Sequence, residues 1–249
     1  INKIKQCTPE NILFDKHFGD GKHDFVYCAT TVSEGGYNRT WLNLNLGAEY
    51  ANINSTNFDP TINKAGEAIH KDEKLYGSYY QWQRASDGHE FRDSETTPKL
   101  ADTWTGTGES AGKFITGNRS WVADGRNELG SDLVLWRAGG ANNPCPFGYH
   151  VPTEQEWQEF HQAVTGSRSV EVKTNQMWTQ DKLPNLAAAS FREYDYVLLE
   201  DKRFKGIYWS SSADGSLLHA RSMDFSSNNS GTYAGYRASS RSLRCIKNN

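Results

Sequence analysis

The feature that most constrains this chain is the recurrence of tight-turn dipeptides throughout its length. Asp-Gly falls at Asp20-Gly21, Asp87-Gly88, Asp124-Gly125 and Asp214-Gly215, and Gly-Gly at Gly35-Gly36 and Gly139-Gly140. Such pairs supply the positive φ angles of tight turns. The runs between the turns are short, and some alternate. "TWLNLNLGA" places Leu42, Leu44 and Leu46 on one face and Asn43 and Asn45 on the other, the pattern of a half-buried strand.

One helix is announced clearly. In "VPTEQEWQEFHQAV", Thr153 and Glu156 have the spacing of a capping box, and Pro152 prevents extension backwards. Trp157, Phe160 and Val164 then form one apolar face. A second, weaker helix is expected within "INKAGEAIHKDEKL", where Gly66 counts against it. From Leu186 onward come short strands: "ASFREYDYVL", "GIYWSSS", "HARSMDF", "GYRA" and "SLRCIK". The expected class is α+β, with short helices, long loops and a carboxyl-terminal antiparallel sheet.

With 249 residues, 36% of them hydrophobic, the chain has material for one sizeable core. No linker divides it. A net charge of −3 with interleaved signs gives no reason to expect nucleic acid or an anionic membrane as partner. No apolar run reaches the roughly 20 residues of a membrane span. The amino-terminal "INKIKQCTPENILFD" lacks a signal-peptide core, and earlier removal of a leader is compatible with it.

The four cysteines, Cys7, Cys28, Cys145 and Cys245, allow three pairings, and spacing does not choose among them. None forms a CxxC pair, which argues against thiolate zinc or thioredoxin-type redox chemistry. Two disulfides in an exported or virion-surface protein are preferred over four reduced core thiols.

Several enzyme signatures are missing: the sequence has no HExxH, GxGxxG after a strand, or P-loop lysine motif. His17 and His23 flank a turn with Asp20 and Asp24, which reads as an exposed polar turn rather than a metal loop. "DGRNELGSD", Asp124 to Asp132, is oxygen-rich but lacks EF-hand spacing, so calcium has little support and no cofactor is expected. "DGHE", Asp87 to Glu90, reads as a hairpin turn. The chain is therefore expected not to be an enzyme.

The stretch from Ser226 to Ser242 is different, because thirteen of its seventeen residues are Ser, Asn, Gly, Thr or Tyr. Antibody loops favour these residues, since Tyr gives rigid contact area and small polar residues adapt their hydrogen bonds. Tyr233, Tyr236, Arg237 and Arg241 add hot-spot residue types, which favours a binding surface over a plain polar hairpin.

Several motifs in matching order resemble the Fibrobacter succinogenes major paralogous domain, a branch of the C-type lectin fold. They are "TWLNLNLGA" (Thr40 to Ala48), "LYGSYYQWQRASDGHE" (Leu75 to Glu90), "NPCPFGYHVPTEQEW" (Asn143 to Trp157), "YWSSS" (Tyr208 to Ser212) and "LRCIK" (Leu243 to Lys247). The resemblance implies a C-type lectin-like domain at 37–249, with residues 1–36 as an extension or attachment segment. It implies a Cys145–Cys245 bond, leaving Cys7 and Cys28 for each other.

The same branch resembles the variable proteins of diversity-generating retroelements, in phage receptor-binding tips and bacterial surface proteins. That likeness implies a variable region at about 208–244, with Asp214, Ser216, Leu217, Leu218, His219, Ser222, Asp224, Ser226, Tyr233, Tyr236 and Ser239 as ligand-contacting positions and Trp209, Arg221 and Arg237 as supports. The implied partner is a protein or cell-surface receptor, or a glycan. The implied location is extracellular, on a bacterial or virion surface, and a homo-oligomer is among the assemblies implied. A fixed adhesin or lipoprotein binding glycan or matrix is the alternative.

Two departures from the pattern stand out. Gln83 stands where the family usually has glycine, and "LPNLAAASFR" (Leu183 to Arg192) lacks the glycine expected before its aromatic. The Glu-Pro-Asn, Gln-Pro-Asp and Trp-Asn-Asp motifs of calcium-bridged sugar sites do not occur.

Overall fold

A computed structural model describes residues 7–123, 133–195, 199–200 and 204–249. The turn dipeptides set its layout. Gly35 and Gly36 have φ of 51° and 92°, which lets β2 (Val26–Glu34) reverse directly into β3 (Tyr37–Leu42). These two strands belong to a five-stranded antiparallel sheet. Its order is β1 (Ile12–Phe14), β2, β3, β15 (Ile246–Lys247) and β7 (Tyr149–His150). Strands from both ends of the chain thus lie in one sheet.

A second sheet runs β10 (Leu199–Glu200), β9 (Phe191–Arg192), β14 (Ser240–Arg241) and β4 (Tyr80–Gln81). The third runs β11 (Gly206–Ala213), β12 (His219–Phe225), β13 (Ser230–Tyr236) and β8 (Glu171–Val172), all antiparallel. A short parallel pair, β5 (Thr96–Thr97) and β6 (Phe114–Ile115), completes the strands. The architecture is α+β and mostly sheet, and the carboxyl-terminal antiparallel strands are where the residue pattern put them.

Helix α1 spans Glu154–Thr165 and is capped as expected. The Glu156 amide donates to Thr153 Oγ1 at 3.1 Å, and the Thr153 amide donates to Glu156 Oε1 at 3.0 Å. Gly166 ends it in the left-handed conformation at φ 73°. Trp157 and Phe160 are fully buried, packing with Trp41 and Tyr208. A four-residue helix, α2 (Gln176–Thr179), lies beside it.

Two local expectations are corrected. "INKAGEAIHKDEKL" forms two 3₁₀ turns, Glu67–Lys71 and Glu73–Leu75, rather than an α-helix. Gly66 precedes the first at φ 82°, and Asp72 Oδ1 accepts from the Lys74 amide to start the second. The strand in "TWLNLNLGA" stops at Leu42, and both of its faces are covered. Leu42 and Leu44 are 0% exposed, but Asn43 and Asn45 are also buried, at 5% and 0%. Their amides replace the lost water. Asn43 accepts from the Cys28 amide and donates to Pro60 O, while Asn45 donates to Tyr76 O and Tyr208 Oη.

Asn45 Oδ1 also accepts from Arg244 Nε at 3.0 Å. The rest of that fully buried guanidinium donates to the carbonyls of Leu42, Pro184 and Asn185. A cation without a carboxylate at this point is held by oriented dipoles, which lock the last segment against the middle of the chain.

Cys145 bonds Cys245 and Cys7 bonds Cys28, so no cysteine is free. The first pair fastens the segment before α1 to the residue preceding β15. Two disulfides fit a secreted or extracellular protein. No helix among the described residues is long and apolar enough to cross a membrane.

Both departures from the family pattern sit at left-handed backbone. Gln83 has φ 67° and Ser190, just before Phe191, has φ 62°. Glycine adopts this region without steric cost and other residues do not, so the two substitutions are strained.

Candidate binding surface

The third sheet has a closed side and an end that faces outward. On the closed side Tyr208, Met223 and Phe225 pack with Trp157 and Phe160 of α1. Gln158 and His161 reach across to Thr232 and Ser230, with His161 Nε2 lying 2.7 Å from Ser230 Oγ. The outward end carries residues 214–218, the connection between β11 and β12.

Two arginines fasten that connection from opposite sides. Arg221 Nε contacts Glu154 Oε2 at 2.5 Å, its Nη1 donates to Asp214 Oδ2 at 3.2 Å, and its Nη2 donates to Thr232 O at 3.0 Å. This ties the start of α1, the connection and β13 together. Arg237 is 0% exposed and lies over Trp82, 4.7 Å from the ring centroid. Its Nε donates to His219 O, its Nη2 to Ser216 O, and its backbone amide to Leu218 O. The carbonyls of the connection are therefore held from beneath, while the Leu217 side chain stands out at 48% exposure.

Half-buried side chains gather around Tyr236. The His219 ring lies 4.6 Å from it, the Tyr194 ring meets it edge-on at 5.7 Å, and the Arg119 guanidinium sits 5.0 Å above it. Ser216 Oγ lies 2.9 Å from His219 Nδ1. Asp214, Ser216, Leu218, His219 and Tyr236 are all half-buried at this end. Tyr233, in the middle of β13, is half-buried, as is Ser226 beyond the far end of the strand, with exposed Ser227 and Asn228 between β12 and β13. Burial and a hydrogen bond to Glu171 push the Tyr233 hydroxyl up to about 12.

Three expected contact positions are buried instead: Ser222 at 0%, Asp224 at 6% and Ser239 at 1%. Ser222 Oγ donates to Asp224 Oδ1 at 2.6 Å and accepts from Arg241 Nη1 at 2.7 Å. Arg241 in turn lies over Trp209, 4.3 Å from its centroid. Ser239 Oγ donates to Glu193 Oε1 at 2.5 Å. The cause is packing. A Cβ at Gly235 would lie 2.0 Å from Arg241 Nη2, so the arginine lies tight against β13 and covers this part of the sheet. Trp209, also 0% exposed, donates to Tyr80 O and supports the sheet from within.

Arg119 and Tyr194 were not singled out by sequence. Their composition signal is weak: "GNRSW" and "FREYDY" are ordinary loop sequences, and only tertiary pairing brings them to Tyr236.

The two polar turns set aside as surface features form a buried ionic network. His23, 5% exposed, places Nδ1 2.6 Å from Asp20 Oδ2 and Nε2 2.6 Å from Glu90 Oε1. Burial opposes the charge on its ring, but the bonds to Glu90 and Asp20 prevail and raise its pKa to about 9. His89 is neutral: Nε2 accepts from the Gln81 amide and Nδ1 donates to Asp87, which also pairs with Arg84.

"DGHE" is thus a buried structural junction and not a simple hairpin turn, and His23 is not an exposed turn residue. Asp87, His89 and Glu90 bring donor atoms within 4.8 Å of one another, yet each is already engaged by protein partners. The Asp124 to Asp132 loop lies outside the described residues.

The chain is a mostly-sheet α+β domain tied by two disulfides. The family model of the Fibrobacter succinogenes major domain matches residues 37–247, and the chain belongs to that family. Searches of curated proteins and of solved structures returned no match.

Proposed function

We propose that this chain is a non-enzymatic binding protein of the C-type lectin-like kind that recognises a protein or cell-surface receptor through its carboxyl-terminal surface. It works outside the cell, on a bacterial or virion surface, and the contacting residues are diversified by a retroelement. The observation that carries this reading is the arrangement at Arg237. Buried Arg237 holds the main chain of residues 216–219 through two guanidinium donors and its backbone amide, so the outward side chains are exchangeable without loss of the loop's path.

In this reading the exchangeable set excludes the buried positions. Asp214, Ser216, Leu217, Leu218, His219, Ser226, Tyr233 and Tyr236 remain in it. Ser222, Asp224 and Ser239 leave it.

Sequencing the DNA around the coding region tests the proposal. A near-identical repeat of the segment encoding about 208–244, differing at adenines, beside a reverse transcriptase gene supports it. Absence of both ends the diversified version and leaves a fixed adhesin, which a glycan array would then examine through loss of signal on Tyr236→Ala.

A further inference from the structure

Beyond the carboxyl-terminal segment, two residues from distant parts of the chain stand in the same surface. We infer that Arg119 and Tyr194 form a constant flank of the binding surface, an anchor for a protein partner beside which the exchangeable residues work. The inference rests on the reading under Proposed function.

Four observations carry it. First, Arg119 is exposed, and no carboxylate among the described residues pairs with it. Its guanidinium is held by aromatic contact instead, over Tyr236 at 5.0 Å and beside the Tyr194 hydroxyl. An arginine ordered in this way without a counter-ion loses little freedom on binding and is the residue type that interface hot spots use.

Second, both residues are fixed by main-chain bonds to the framework. The Gly117 amide donates to Tyr194 O and the Ala238 amide to Arg119 O, each at 3.0 Å. Third, both lie outside about 208–244, so diversification of that segment leaves them unchanged.

The fourth observation concerns the partner. The Tyr236 ring is overlaid by Arg119 and His219 and met edge-on by Tyr194, so it is not a bare platform for a sugar ring. The cluster offers hydroxyl, imidazole and guanidinium groups beside the apolar Leu217. That mixture suits a protein surface, with a carboxylate or main-chain carbonyl accepting from Arg119.

The test uses the whole chain on yeast, randomised at Asp214, Ser216, Leu217, Leu218 and Tyr233, and selected separately on lysozyme, α-lactalbumin and the polysaccharide mannan. Binders to both proteins are expected, each losing about ten-fold or more in affinity when Arg119→Ala and Tyr194→Ala are combined. The same pair placed in the parent chain should still melt cooperatively, at a temperature lowered only by the packing lost around Tyr236. Protein binders unaffected by the pair overturn the constant flank and leave the display surface standing. Binders to mannan alone overturn the protein partner. A library that folds but yields no binder to any probe overturns the display reading, and the flank with it.

Discussion

Gln83 and Ser211 meet across the interior, with Gln83 Nε2 donating to Ser211 O at 2.9 Å. Gln83 Oε1 accepts from the Trp136 amide, also at 2.9 Å. The side chain thus joins β11 to the segment before Cys145, from a backbone that glycine would adopt more easily. Ser190 has the same backbone conformation, but its buried hydroxyl has no partner. The two glycine replacements should therefore differ in sign. Ser190→Gly should stabilise by ~1 kcal/mol through relief of the left-handed backbone. Gln83→Gly should destabilise by ~2 kcal/mol, because two buried backbone groups lose their partners. Urea unfolding of both variants checks this, and equal shifts in one direction would refute the account.

The buried positions of the third sheet should resist exchange where the outward ones do not. Substitutions at Ser216, Leu217 or Leu218 are expected to change stability by no more than ~0.5 kcal/mol. Asp224→Ala leaves the Arg241 cation buried without its nearest carboxylate and should cost ~3 kcal/mol. Ser222→Tyr, which must find room beneath Arg241, should be at least as damaging. Thermal melts of the series discriminate the two groups.

The Cys145–Cys245 bond spans 100 residues of sequence. Replacing both cysteines by alanine should lower unfolding free energy by ~4 kcal/mol on the chain-entropy account. The loss should exceed that from Cys7 with Cys28, which spans 21 residues. Denaturant midpoints for the two double variants give the comparison.

Stability should fall from neutral to alkaline pH. The folded pKa of His23, about 9, lies above its ordinary 6.5. Its contribution is therefore complete below pH 6.5 and is lost as pH rises through 9. Burial lifts Asp15 to about 6 from 3.8, so its contribution is likewise present at low pH and lost as pH rises through 6. Asp20 acts in the other direction: hydrogen bonds from His23 and Lys22 outweigh burial and hold it at about 2, so its share is lost only as pH falls through that value. His23→Gln should flatten the profile between pH 6.5 and 9 in chemical denaturation, and an unchanged slope would count against the clamp.

Local signals in the chain proved dependable where one short segment decides the outcome. The capping box at Thr153, the Gly35-Gly36 reversal and the strands over "YWSSS" and "HARSMDF" all depend on near neighbours. The misreadings share another cause. Alternation through Asn43 and Asn45 marks the period but not whether both faces are covered, and the residues covering them, such as Pro60, Tyr76 and Arg244, are distant in sequence. The same holds for Ser222 and Asp224, whose burial depends on Arg241, and for His23, which needs Glu90. Polar composition points to a surface only when no partner from elsewhere arrives. The proposed surface was legible in part: Tyr233 and Tyr236 stood out by residue type, the 214–219 connection entered only through the resemblance, and Arg119 and Tyr194 had no local mark.

The strand containing Ile246 lies inside the five-stranded sheet, with β3 on one side and β7 on the other, rather than at its edge. A chain still emerging from the ribosome therefore lacks the piece that joins those two strands until Ile246 has been added. Any stop or shift of reading frame upstream of Cys245 removes that piece together with a disulfide partner. Transcripts interrupted upstream should yield chains that cannot close and are cleared by proteolysis, so translation through Ile246 is itself a check on the fold.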